Sequence, residues 1–333
     1  MSDFCEPDIG RLLAAFELRK HDRVPHFDFI DPVNVSKILG RSLGLCARND
    51  ALGGPDAVRV AQATGMDFIL ASVQYWPGVA NETGKVCGWA DLEKVGDANP
   101  EWARARVREF VTACRGTKLG VGVDIAGPFF STYMSMGPVA IQSFMLALHD
   151  DRALVERMMD IQVEAQIRRL EAIAGLPVSF VEIADDVCDN NGFMIAPALM
   201  DELWAPRFEK TLRAAQSLGV PVMCHCCGKL DQVLPRFVDW GIKAVSPIQP
   251  NCNDIYDIGR RWGDRICLVG NINIQGVLAF GTPAEVEADV KEHIGRLSGR
   301  GGYVVASSHS IVDAIPHENY MAMVNAVIKH GAY

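Results

Sequence analysis

The sequence contains no run approaching 18 consecutive apolar residues, so it offers no membrane-spanning helix. Cysteine is scarce, ten in 333 residues, far below the density of a disulfide-stapled scaffold. Cys188, Cys224 and Cys267 lie inside apolar runs, as reduced buried thiols do. Positive charge is also short. Lys plus Arg is 32 against 41 Asp plus Glu, a net charge of −9, which argues against a nucleic-acid-binding surface. No Gly-x-Gly-x-x-Gly opens the first helix and no Walker A sequence exists, which removes the common nucleotide-binding motifs. The acidic N-terminal segment has no secretory apolar core, so a cytoplasmic protein is expected. Apolar residues are plentiful, at 49%, with 22% charged; such a chain buries a large core and is not disordered.

Eight short apolar runs alternate with helical stretches: 24–29, 67–72, 118–125, 179–184, 220–226, 244–248, 266–272 and 303–308. Near-continuous apolar character suits parallel strands covered on both faces. Residues 141–174 carry the longest helical periodicity, and 198–218 another that stops at Gly219 with Pro221 beyond. Thr282-Pro283-Ala284-Glu285 reads as a capping box with proline at the first helical position. This alternation predicts an α/β fold, a (β/α)8 TIM barrel with extended loops after strands 2 and 3, forming a single domain over residues 1–333.

In such a barrel the chemistry sits at the C-terminal strand ends. Reading those ends yields Asp28, then Gln74, Tyr75 and Trp76, then Phe129 and Tyr133, then Glu182, Asp185 and Asp186, then His225 and Cys227, Asn271, and His309. Buried polar groups accumulate here where a packed core would exclude them. His225 and Cys227, two residues apart, point to one side of an extended segment and offer the mixed nitrogen and sulfur donors that zinc accepts. His309 follows the last strand on the same rim and supplies a third donor. A fourth place is left for Glu182, Asp186, water or substrate, as in a catalytic zinc site. The ordinary alternative is a buried strand with inert cysteines and a hydrogen-bonded histidine.

Glu182, Asp185, Asp186 and His309 are candidate acid–base groups, since crowded carboxylates raise one another's pKa; helix capping is the competing role for Asp185. Asp28, Gln74, Tyr75, Trp76, Phe129, Tyr133 and Asn271 are candidate substrate contacts, the aromatic ones suiting a flat or methyl-bearing compound. Phe129 fits core packing equally well.

The residues then resemble the uroporphyrinogen decarboxylase superfamily over nearly the whole chain. Gly127-Pro128-Phe129, Asp185-Asp186, Met194-Ile195-Ala196-Pro197, His225-Cys226-Cys227-Gly228, Gly270-Asn271-Ile272 and His309-Ser310-Ile311 carry the likeness. His225-x-Cys227-Gly228 is similar to the zinc methyltransferase branch. The stretch His26-Phe27-Asp28-Phe29-Ile30-Asp31 lacks the arginines that porphyrinogen decarboxylases place there for a many-carboxylate substrate. The resemblance implies a zinc-dependent methyltransferase, of O-demethylase type. It would move a methyl group from a small substrate, such as an aryl methyl ether, to a thiol or to a corrinoid carried by a separate partner protein. One zinc per chain is expected, held by His225, Cys227, His309 and Glu182, although the third ligand of that branch is a cysteine. The alternatives are a metal-free decarboxylase or lyase acting on a small organic acid, and a silent scaffold. No nucleic-acid or membrane partner is expected.

Overall fold

The computed structural model describes residues 6–42 and 51–333. Its strands are β1 (Phe68–Ser72), β2 (Gly120–Ala126), β3 (Phe180–Ala184), β4 (Cys188–Asp189), β5 (Gly192–Phe193), β6 (Val222–His225), β7 (Ala244–Ile248), β8 (Cys267–Gly270) and β9 (Tyr303–Val304). Seven of them form one sheet in the order β1-β2-β3-β6-β7-β8-β9, every adjacent pair parallel. Parallel neighbours require crossovers. Helices Pro100–Ala113, Arg152–Ile173, Ala205–Gln216, Leu234–Asp239, Ile255–Trp262 and Pro283–Leu297 supply them in turn. Among the described residues, no helix is long and apolar enough to cross a membrane.

Both faces of the sheet are covered, which is why its strands read as unbroken apolar runs. All seven residues of β2 are buried. On the inner face Phe180 stacks edge-on against Phe68 at 4.9 Å and Phe16 at 5.7 Å. A Cβ on Gly122 would come within 2.4 Å of the Phe180 ring, so this glycine makes room for the aromatic layer.

The eighth barrel position differs from expectation. Residues 24–30 form no strand; single parallel bridges, His26 to Val305 and Ile30 to Ile311, attach them to the last segment. On the other side, among the described residues, no pairing joins them to β1, and Phe27 instead stacks on Phe68 at 4.8 Å. The architecture is thus a curled parallel sheet of seven strands with an eighth, bridged segment, not a strict eight-stranded barrel. β9 also stops earlier than predicted. Beyond Val305, whose amide bonds Pro25, the Ser307 amide bonds the Asp28 side chain at 2.8 Å instead of backbone.

Helix punctuation follows the sequence closely. Glu285 N donates to Thr282 Oγ1 at 3.3 Å and Thr282 N to Glu285 Oε2 at 2.7 Å, closing the capping box. Gly219 adopts φ +76°, the left-handed value that ends a helix. The predicted 141–174 helix is two, Ile141–Asp150 and Arg152–Ile173. Asp151 breaks it with φ −148° and caps the second through Leu154 N at 3.2 Å.

Candidate metal centre

Register places the site. Asp124 pairs with Glu182, and Ala184 with His225, so side chains of β2, β3 and β6 rise in layers above the phenylalanine stack. Asp124 and Glu182 share the first layer, both buried. Gln74 Nε2 donates to both Asp124 carboxylate oxygens, at 2.9 and 2.8 Å. His225 stands one step higher, as the last residue of its strand.

The turn after His225 is held on three sides. Gly228 N donates to Gln249 Oε1 at 2.6 Å, Leu230 N to Asn253 Oδ1 at 3.0 Å, and Lys229 N to Asp189 O at 2.7 Å. Gly228 has φ +92°, and a Cβ there would lie 2.5–2.7 Å from the backbone of Cys188 and Asp189. Only glycine lets the turn seat against the β4–β5 hairpin.

Asp186 Oδ1 accepts from Cys227 N at 2.7 Å and lies 3.9 Å from His225 Nε2, which is 3.6 Å from Cys227 Sγ. One ligand atom from each of Asp186, His225 and Cys227 falls within 4.8 Å of the others, the only such group of three found among the described residues. On the opposite side of the ring, Glu182 Oε1 is 3.8 Å from His225 Nδ1. Burial, reinforced by the Asp186 carboxylate, pushes the Cys227 thiol well above its ordinary range. A thiol held against a carboxylate gives up its proton only beside a cation, and the oxygen, nitrogen and sulfur donors suit zinc. The residues fit that metal.

The remaining candidates are dispersed. His309 is exposed and outside the group; its backbone carbonyl accepts from the Ser307 hydroxyl, and Asp186 stands where His309 was expected. Glu182 lies on the Nδ1 side of the imidazole, not with the three clustered donors. Asp185 turns away, accepting from Phe130 N and Trp204 Nε1, each at 2.7 Å; it anchors the start of helix Pro128–Ser135. Burial, opposed by those bonds, pushes its carboxyl up to about 7. Asp28 is likewise pushed up to about 7 by burial, and is engaged by Ser307. Phe27 meets Phe68 and Phe29 meets His225 on the inner side of the sheet, whereas Asp28, between them, lies near Tyr320.

Tyr75 is buried beneath the insertion, its hydroxyl bonded to Gly96 O and its ring under Arg169. Phe129 is core, against Phe144 at 5.1 Å. Asn271 Oδ1 meets His293 Nε2 at 2.7 Å, part of a separate polar cavity. Tyr133 does approach the centre: burial first, then Asp186, Asp185 and Cys227, push its hydroxyl upward. Phe130 links it to Trp76, which is 42% exposed, through edge contacts at 5.4 and 5.3 Å. Sequence reading missed Phe29, whose ring lies 6.1 Å from that of His225. Its place in the inward set 27, 29 was the available signal.

A family model described as uroporphyrinogen decarboxylase (URO-D) matches residues 49–330. No curated protein matches the chain. Among solved structures, a methyltransferase from Methanosarcina mazei superposes with a TM-score of 0.70 at 19% identity, covering 97% of this chain and 99% of its own. A B12-independent methionine synthase from Shewanella sp. W3-18-1 gives a TM-score of 0.47 at 11% identity, over 70% of this chain and 65% of its own. An L-ribulose 3-epimerase gives 0.45 at 13%, over 82% and 88%.

Proposed function

The chain belongs to the uroporphyrinogen decarboxylase family, and from that premise we propose that it is a zinc-dependent methyltransferase. One observation carries the reading: three donors of metal-ligand type, Asp186, His225 and Cys227, converge at adjoining strand ends. The whole-length likeness to a fold that also serves a methyltransferase supports it.

In this reading Asp186, His225 and Cys227 would hold the cation, beside the aromatic side where a substrate would enter. Zinc supplies a Lewis acid that lowers the pKa of an acceptor thiol or polarises an ether oxygen. Glu182 lies 3.8 Å from Nδ1 of His225, where its negative charge favours a proton on that nitrogen and leaves Nε2 for a metal. Asp186 has a second duty, since its bond to Cys227 N sets the turn that presents the thiol. Phe130, Tyr133 and Trp76 form an aromatic side suited to a flat methylated compound. The methyl donor is a small molecule of the aryl methyl ether kind. The acceptor is a thiol or a corrinoid carried by a partner protein.

Protein purified without chelator should contain about one zinc per chain, and chelation should abolish methyl transfer until zinc is restored. Methyl transfer that survives exhaustive chelation would remove the metal from the reaction. The buried neighbours Asp124 and Glu182 would then remain as acid–base groups for a metal-free lyase.

A further inference from the structure

A second concavity lies far from these strand ends, between helices Ile255–Trp262 and Pro283–Leu297, with a volume of about 510 Å³. Its floor is Leu268 and Tyr303, near the N-terminal ends of β8 and β9, whereas His225 closes the C-terminal end of β6. The opening exists because side chains are missing. Gly259 faces it from one helix, where a Cβ would already stand 3.3 Å from Leu297, and Gly299 has nothing within 4 Å of its Cβ position.

Charge at this place opposes the charge of the whole molecule. The chain carries −9, yet Arg260, Arg296 and Arg300 line the cavity and, among the described residues, no carboxylate does. Arg260 and Arg296 pair with Asp257 and Glu292, at 2.9 and 2.8 Å, on their own helices. Such exposed pairs within one helix are weak and yield readily to a stronger anion. Arg300 has no acidic partner among the described residues. The Arg296 guanidinium lies 3.3 Å from the centroid of the Tyr256 ring, which stacks it beside the opening.

The floor itself is apolar: Leu268 is 2% exposed and Tyr303 1%, with the Tyr303 hydroxyl buried away from the opening.

We propose that this cavity binds a small organic phosphate of mononucleotide size. The three guanidinium groups hold the phosphate, since their planar forks match its oxygens. Tyr256 and the apolar floor of Leu268 and Tyr303 face the organic body. A cavity of this volume is in the range that encloses a whole small organic ligand, well beyond a bare phosphate ion.

Calorimetric titration in phosphate-free, low-salt buffer tests this, with adenosine 5′-monophosphate, ribose 5-phosphate and inorganic phosphate as probes. Chelated, metal-free protein is used so that phosphate cannot report on zinc. Saturable binding of adenosine 5′-monophosphate at one site is expected, weakened about tenfold by Arg300→Ala and further by Arg296→Gln in the same chain. Both arginines are exposed, so the fold survives their loss. Absence of saturation with both organic probes overturns the proposal, as does undiminished affinity in the double arginine variant. Inorganic phosphate binding as tightly as the nucleotide would overturn the organic part. The result is independent of methyl transfer, because the titrated protein carries no metal.

Discussion

The ends of β6 and β9 each lead to a histidine with carboxylates close by, yet those carboxylates are used differently. Beside β6, Glu182 and Asp186 flank the imidazole of His225, and Asp186 also holds the Cys227 amide. Beside β9, Asp28 takes the Ser307 amide, two residues short of an exposed His309. A carboxylate that meets a ring and a thiol builds a donor set; one spent on a strand-end serine ends a ladder. Position on the rim is therefore a weak guide to chemistry, and the hydrogen bonds received from distant segments decide it.

The largest contrast should appear in metal affinity. Cys227→Ser is expected to weaken zinc binding about a thousandfold, or about 4 kcal/mol, whereas His309→Ala changes it less than about twofold. Competition with a colorimetric chelator measures both, and a thousandfold loss in His309→Ala would merge the two regions. The next effect lies on the β9 side and concerns stability. Asp28 is protonated in both folded and unfolded chains below about 4, where its contribution is fully present. As pH rises from there to about 7 the unfolded chain releases the proton first, so stability is lost through that window. Asp28→Asn removes this loss, and denaturant unfolding at pH 5 and pH 8 should show its advantage over the parent growing by about 2 kcal/mol. An advantage that does not grow would mean that Asp28 is ionised in the fold without cost. The smallest effect is Glu182→Gln. An amide can still orient the ring but carries no charge, so zinc affinity should fall about tenfold, or about 1.4 kcal/mol. A loss as large as that of Cys227→Ser would move Glu182 from orienting group to ligand.

Much of this was legible in the residues. Apolar runs located all seven sheet strands, because a doubly covered parallel strand must be apolar on both faces. His225 and Cys227 were legible as a pair because extended geometry forces residues two apart to one side. Asp185 and Asp186 were not separable. Their directions depend on Trp204 Nε1, Phe130 N and Cys227 N, which lie 19 to 55 residues away. The break at Asp151 was hidden because apolar periodicity runs across it, and the β4–β5 hairpin because two-residue strands leave no pattern. Asp28 could have been excluded, since Phe27 and Phe29 on either side of it claim the inner face.

The sheet's junction between residues 24–30 and β1 is closed by the Phe27–Phe68 stack, with no backbone pairing among the described residues. A ladder of hydrogen bonds and a pair of rings respond differently to temperature. Apolar association is driven near room temperature by solvent entropy and weakens on cooling. This joint, packed by rings without a ladder, is therefore expected to lose more on cooling than the hydrogen-bonded joints, and Phe29, which faces His225 from that same segment, connects it to the candidate metal centre.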